Sequence, residues 1–325
     1  MPELELTITA ITAETPLIRS LHLRAPGGSG LPAFTPGAHL QVSIPGLADP
    51  RCYSLVSFDP DAAAFDAPLA YRLGIRLEDG SRGGSRHMHQ LAVGDTVRVA
   101  GPKNDFPLHA AEPGERPIVL VAGGIGITPI AAMAASLQAA GRPYVLHYSG
   151  RSREQLAYVD ELSALAGDAL FVHADDDAAS RLDISSLLDG LDPAQHLYVC
   201  GPKGMIDAVI EGARTRGWPP ERVHFELFAT AAPIAGDQAF EVTLAQSGKV
   251  LTIPADKTIL DVLEAEGCDP MYDCKRGECG VCTCAVLEGV PEHRDYFLSD
   301  AEKAGGKLIQ ICISRAKSPR LVLDL

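Results

Sequence analysis

Basic charge is what this sequence has too little of. Lys and Arg number 28 against 42 Asp and Glu, a formal net charge of −14, and phosphate-rich partners need the opposite balance. Nucleic acid is therefore not an expected partner, and acidity of this kind more often serves solubility than a docking face. The start Met1-Pro2-Glu3-Leu4-Glu5 lacks both the basic residues and the apolar run of a secretion signal. Residues 117–141 carry no charge and are long enough for a membrane span. Gly123, Gly124, Gly126 and Pro129 interrupt them, however, so strand, glycine turn and helix is the better reading, with no membrane partner. There is no long-period repeat and no low-complexity tract, and 46% hydrophobic residues support packed cores rather than disorder. Eight cysteines without an export signal point to a reducing compartment and metal ligation, hence a cytoplasmic protein.

Four of those cysteines carry the strongest signal. Cys274, Cys279 and Cys282 read C-x4-C-x2-C, and Cys312 follows thirty positions after the third. That is the spacing of a plant-type [2Fe–2S] ferredoxin, whose cluster moves one electron at a time. Gly277 and Gly280 lie between them, where main-chain N–H groups must approach cluster sulfurs. A structural zinc site is the rival, but it usually shows two short C-x2-C pairs, and only one such step occurs here.

A ferredoxin module needs only the last ninety or so of 325 residues, so the chain holds two or three domains. The first hundred residues alternate in short segments (4–11, 18–23, 39–44, 70–77 and 96–100) separated by Gly and Pro turns, as in a small antiparallel barrel. From residue 117 the rhythm becomes α/β. Segments 118–122, 143–148, 169–173 and 196–200 read as buried strands, and 129–140, 154–166 and 205–216 as the helices between them. That alternation predicts a parallel sheet with crossover helices. In the last module, 240–245 and 250–254 suggest a hairpin and 258–266 a helix, with Asp256 as its N-cap. The expected domains are 1–109, 110–228 and 238–325, with 229–237 as a linker.

Gly123-Gly124-Ile125-Gly126-Ile127-Thr128-Pro129 follows a predicted strand and opens a predicted helix. Glycines permit close approach of a ligand, Pro129 suits the first helical turn, and exposed N–H groups with the helix dipole favour a pyrophosphate. Cys200-Gly201-Pro202 ends another strand of the same sheet, where ligands of open α/β sheets lie. In the barrel, Arg51-Cys52-Tyr53-Ser54-Leu55 sets a phosphate-pairing cation, a flat ring and a hydroxyl close together. Arg82-Gly83-Gly84-Ser85, before a short helix at 87–91, reads as a second phosphate cradle.

Together these motifs resemble the ferredoxin–NADP reductase superfamily. The order of barrel, nucleotide domain and C-terminal cluster module is closer still to one branch, that of phthalate dioxygenase reductase and the vanillate demethylase reductases. His224-Phe225-Glu226-Leu227-Phe228 and the ending Ser314-Arg315-Ala316-Lys317-Ser318 belong to the resemblance, which covers essentially the whole chain. It implies a multidomain protein: a flavin-binding antiparallel β-barrel, an α/β nicotinamide domain and an α+β ferredoxin-like [2Fe–2S] domain. It implies FMN rather than FAD, with Arg51, Gly84 and Ser85 on the phosphate and Tyr53, Ser54, Ile75 and Arg76 bordering the ring, while Phe228 stacks where nicotinamide enters. NADH would be held by Gly124, Gly126, Thr128, Pro129, Asp175, Cys200, Gly201 and Pro202, Thr128 and Cys200 acting as positioning groups, with no acid or base required. Ser149, Arg151 and Arg153 follow a strand near the adenosine ribose, and the run Asp175-Asp176-Asp177 there would oppose a 2′-phosphate. Leu227 and Ser81 stand where the family often has serine and glycine. The implied activity is an NADH-dependent reductase, a monomer that serves a Rieske non-haem iron oxygenase. The alternative is a redox sensor or an electron carrier without a dedicated oxygenase.

Overall fold

The computed structural model describes residues 3–80, 83–112, 114–228 and 234–325. Contacts divide the chain into two compact units, Met1–Glu226 and Leu227–Leu325, so the boundary expected near residue 110 falls inside the first. There, a six-stranded antiparallel sheet among the described residues runs in the order β4-β3-β6-β1-β2-β5. Its strands are β1 (Glu3–Ala13), β2 (Ile18–Arg24), β3 (His39–Val42), β4 (Arg51–Ser54), β5 (Tyr71–Arg76) and β6 (Thr96–Lys103). Alternation turns Leu6, Ile8, Leu21, Leu23, Leu40, Val42, Leu73, Ile75, Val97 and Val99 into one core. Each such side chain contributes about 1.5–3 kcal/mol by leaving water. A bulge between Ile8 and Ala10 bends β1, and a bridge from Leu55 to Leu73 brings the two sheet edges together, so the sheet curls toward a barrel. The short helices α1 (Ala63–Asp66) and α2 (Gly84–Gln90) flank it.

The second sheet of this unit is parallel: β7 (Ile118–Gly123), β8 (Tyr144–Gly150), β9 (Leu170–Ala174), β10 (Leu197–Cys200) and β11 (Val223–Glu226) lie in the order β11-β10-β7-β8-β9. Its helices are α3 (Ile127–Ala139), α4 (Val159–Ala166), α5 (Ile184–Asp189) and α6 (Lys203–Thr215). The α4 helix starts at Val159 rather than residue 154, because a 3-10 turn at Arg153–Gln155 and left-handed Tyr158 (φ 66°) intervene. The charge-free stretch has a plain cause. Every residue of β7 is buried, and α3 is covered on two sides. Ile130, Ala131, Met133, Ala134 and Leu137 pack into the sheet core, while Ala132 and Ala135 join the barrel core. A helix with partners on both faces needs no polar stripe. Among the described residues, no helix is long and apolar enough to cross a membrane.

The second unit builds a mixed sheet in the order β13-β12-β18-β14-β16, from β12 (Phe240–Leu244), β13 (Val250–Ile253), β14 (Thr283–Glu288), β16 (Leu308–Gln310) and β18 (Arg320–Leu323). A ribbon pairs β15 (Pro291–Glu292) with β17 (Arg315–Ala316), and α7 (Ile259–Ala265) and α8 (Asp300–Gly305) complete the fold. Thr258, not Asp256, caps α7. Its hydroxyl accepts from Asp261 N at 3.0 Å while the Asp261 carboxylate accepts from Thr258 N at 2.9 Å, a reciprocal box that Asp256, two residues earlier, is placed too far back to form. Of the expected linker 229–237, residues 229–233 lie outside the described residues. Asp237 is gripped by Arg294 at 2.5 and 2.9 Å, which holds its carboxyl down to about 2.

Candidate functional sites

The four cysteines expected to hold the cluster converge in the second unit, although residues 268–282 form neither helix nor strand. Their thiols meet in two pairs, Cys274 with Cys279 and Cys282 with Cys312. Two pairs suit two irons with two thiolates each, whereas one tetrahedral ion draws four sulfurs to a single point. Left-handed backbone at Lys275, Gly277 and Gly280 (φ 54°, 78° and 76°) turns N–H groups toward the sulfurs. Arg276 N donates to Cys274 Sγ at 3.3 Å, Gly277 N to Cys312 and Val281 N to Cys279. The Cys312 thiol donates to Cys282, drawing Cys282 down to about 7 and pushing Cys312 up. Donor set and geometry fit a [2Fe–2S] cluster.

Braces around this loop carried no signal in the sequence. Buried Arg276 donates to Glu278 Oε2 at 2.9 Å, and Glu278 Oε1 accepts from Leu227 N at 2.6 Å. Buried Asp295 accepts from Leu298 N at 2.9 Å and from Ser314 Oγ at 3.2 Å. Two of these contacts are long-range, Leu227 with Glu278 and Asp295 with Ser314, and neither follows a period.

In the first unit the two nucleotide motifs meet. Strands β7 and β10 are neighbours, with Ala122 beside Cys200, so their C-terminal turns touch. An ideal Cβ on Gly126 would sit 2.1 Å from the Cys200 carbonyl oxygen, and one on Gly201 would sit 3.0 Å from Gly123 Cα. Glycine is required there by close approach, and at Gly124 by a φ of 54°. Gly124, Gly126, Thr128, Pro129, Cys200, Gly201 and Pro202 thus gather at the C-terminal ends of β7 and β10, the end of the strands at which open α/β sheets take ligands. Thr128 is buried and donates to the Ile125 carbonyl at 3.0 Å. Its methyl group reaches the barrel: an ideal Cβ on Gly74 of β5 would lie 2.7 Å away. Asp175 is not in this group. It follows β9 at the sheet edge, where its N–H donates to the Gly150 carbonyl at 2.9 Å. Beside it a cavity of about 420 Å³ is lined by Ser152, Arg153, Glu154, Ala174, Asp176 and Asp177.

The flavin-site residues divide likewise. The Arg51 stem packs on Gly84, where an ideal Cβ would meet Arg51 Cγ at 2.8 Å, and its guanidinium donates to the carbonyls of Asp49 and Pro50. Ser85 lies one residue further along α2, its hydroxyl accepting from Glu78 N at 3.1 Å. This cluster of a cation, a hydroxyl and a helix start fits a phosphate; Ser81 and Arg82 lie outside the described residues. Burial pushes the Tyr53 phenol up to about 12, and Ser54 is buried beside it. The Ile75 side chain is in the barrel core, so only its main chain is left to face a ligand, and its carbonyl already contacts His89 Nε2 at 2.9 Å. Arg76 is held by both Glu78 oxygens, at 2.6 and 2.7 Å. Phe228 is exposed and falls in the second unit.

Tyr158 carried no signal in the sequence. Its hydroxyl shares a hydrogen bond of 2.9 Å with Ser20 of the barrel, and the Arg72 guanidinium lies 4.8 Å from its ring centre. Burial pushes that phenol up to about 12. His109, Glu112 and His196 also gather, with nitrogen and oxygen atoms within 4.8 Å of one another. Their chemistry is packing. The two imidazoles stack face to face at 3.3 Å, which sets their lone pairs in parallel planes, and Arg222 already occupies His196 Nε2.

Two family models match this chain: a 2Fe-2S iron-sulfur cluster binding domain over residues 242–317, and an oxidoreductase NAD-binding domain over residues 120–211. The vanillate O-demethylase oxidoreductase of Pseudomonas sp. (strain HR199 / DSM 7063) is 40% identical, over 99% of this chain and 100% of that one. Phthalate dioxygenase reductase, a modular structure for electron transfer from pyridine nucleotides to [2Fe-2S], is 37% identical with a TM-score of 0.71, over 99% and 98%. The chain belongs to the family of these two reductases. It is an oxidoreductase with a [2Fe–2S] domain and an NAD-binding domain, and the cysteine loop and both glycine turns fall inside the matched ranges. The same fold is built into a longer protein: full-length CYP116B46 from Tepidiphilus thermophilus is 36% identical with a TM-score of 0.73, and this chain spans 42% of it.

Proposed function

We propose that this family member is the NADH-dependent reductase component of a Rieske non-haem iron oxygenase system, passing electrons from NADH through FMN and the [2Fe–2S] cluster to the oxygenase. The observation that carries the reading is the contact of Thr128 with Gly74, where the nucleotide turn meets the barrel strand next to Ile75 and Arg76. A hydride port needs those two surfaces adjacent. The bound groups supply the redox chemistry, a two-electron donor followed by carriers that release electrons singly. The chain's own residues bind and orient. N–H groups of the 124–126 turn and the start of α3 take the pyrophosphate, while Cys200, Gly201, Pro202 and Thr128 shape the pocket for the nicotinamide. Arg51, Gly84 and Ser85 hold the FMN phosphate, and Tyr53 and Ser54 with the main chain of Ile75 and Arg76 border the ring. Cys274, Cys279, Cys282 and Cys312 ligate the irons. Asp176 and Asp177, which line the cavity beside Asp175, favour a free 2′-hydroxyl and so NADH over NADPH.

We take the domains to be 1–109, 110–228 and 238–325 joined by 229–237, in a monomeric cytoplasmic protein. Relatives named for a demethylase and a dioxygenase support an oxygenase as recipient. Anaerobic titration with NADH, followed by visible absorbance, tests the reading. Flavin and cluster bands should both bleach, at about three electrons per chain. Bleaching of the flavin alone would overturn the internal chain, and a kcat/KM for NADPH above that for NADH would overturn the nucleotide preference.

A further inference from the structure

Gln310 ends β16, is fully buried, and lies directly across the ladder from Thr283 of β14. Its carboxamide joins two neighbours: Cys282 Sγ donates to Oε1 at 3.1 Å, and Nε2 donates to Thr283 Oγ1 at 2.5 Å. This pattern belongs to a protonated Cys282. A cysteine on iron is a thiolate with no hydrogen to give, so the same carbonyl oxygen would face negative sulfur in a dry site. Turning the amide over exchanges oxygen and nitrogen within nearly the same volume. Nε2 then donates to sulfur, and Oε1 accepts from the Thr283 hydroxyl. That hydroxyl otherwise donates to the Gly280 carbonyl, which keeps its bond from Thr283 N at 3.1 Å. Cys282, Gln310 Oε1 and the Thr283 hydroxyl each keep a partner in this arrangement.

We propose that Gln310 is a positioning residue of the cluster, whose carboxamide N–H bonds the Cys282 thiolate and raises the reduction potential of the [2Fe–2S] centre. The proposal rests on Cys282 being a cluster ligand. Reduction adds one electron and no proton, so a donor on a ligand sulfur stabilises the reduced form more than the oxidised one. Unlike the main-chain donors around it, this one is removable by substitution.

The test uses full-length holoprotein in wild type, Gln310→Met (similar length, no donor) and Gln310→Glu (similar shape, an acceptor). Potentials are read from dye-mediated dithionite titration with the electron paramagnetic resonance of the reduced cluster, so neither NADH nor an oxygenase enters. The expected order is wild type highest, Met lower and Glu lowest. The Met change should shift the reduced-to-oxidised ratio about tenfold, or about 59 mV for a one-electron couple. Equal potentials in wild type and Met would overturn the proposal. So would loss of the cluster from both variants at unchanged far-ultraviolet dichroism, which marks a purely structural role, or a normal cluster in Cys282→Ser. A shifted potential in a protein that NADH does not reduce would leave this proposal standing and remove the reductase reading.

Discussion

The nucleotide turn at 123–129 and the cluster loop at 274–282 solve the same problem by different means. In the proposed reading, both aim main-chain N–H groups at negative charge. The turn sits between a fully buried strand and a fully supported helix, and its glycines are needed mainly because another backbone comes within contact. The loop has no ladder beneath it. Three left-handed residues shape it, and the Arg276–Glu278 and Asp295–Ser314 contacts tie it down. Secondary structure forms the first site, and scattered side chains with local backbone strain form the second.

Alanine at two glycines separates these cases. At Gly126 the new Cβ would lie 2.1 Å from the Cys200 carbonyl oxygen, a main-chain atom that cannot swing away. Gly126→Ala should cost about a hundredfold in kcat/KM for NADH oxidation, about 2.7 kcal/mol, with iron content unchanged. Normal turnover would show that the two turns do not need their contact. At Gly280 the clash is with the exposed Phe297 ring, 2.3 Å from an ideal Cβ, so the ring can move and the φ of 76° is the lasting cost. Gly280→Ala should weaken the loop by about 1–2 kcal/mol and lower iron per chain. Adding Phe297→Ala should restore part of that iron; full restoration would mean strain was never the issue.

Arg51→Ala bears on the barrel cradle alone. The flavin Kd, from fluorescence titration of flavin-free protein, should rise about tenfold while the cluster spectrum stays as it was. Acid should distinguish the units more gently. Burial pushes both His147 and His224 of the parallel sheet down to about 4, with His173 and His196 respectively adding to it. As pH falls below the ordinary value of 6.5, the unfolded chain takes protons that the folded one refuses. Stability of the first unit is therefore lost progressively from pH 6.5 down to about 4. The Asp237–Arg294 pair of the second unit, with its carboxyl held down to about 2, begins to fail only below about pH 3.8. Two melting transitions that separate between pH 6.5 and 4 are the expected calorimetric result.

Both proposed sites are legible in the sequence to the extent that their signals are local. The β7–turn–α3 unit shows itself through an unbroken apolar strand, glycines and a proline within seven residues, and the cluster ligands through cysteine spacing. Gln310, Glu278 and Tyr158 were not legible, because they have partners from elsewhere in the chain that share no period with them. Ile75 shows the limit of a motif: the strand was found, but which of its faces the core would take depends on register with β2. The α7 cap was missed for a smaller reason, since both Asp256 and Thr258 are acceptable caps and only the reciprocal bond with Asp261 decides between them.

The two-sided burial of α3 has a thermodynamic consequence. Ala132 and Ala135 belong to the barrel core while their helix neighbours belong to the sheet core, so neither lobe can unfold without stripping the wall of the other. Ligands of the two lobes are then linked through a common folding equilibrium. Flavin on the barrel at a hundred times its Kd would add about 2.7 kcal/mol to the stability of a nucleotide turn that it need not touch.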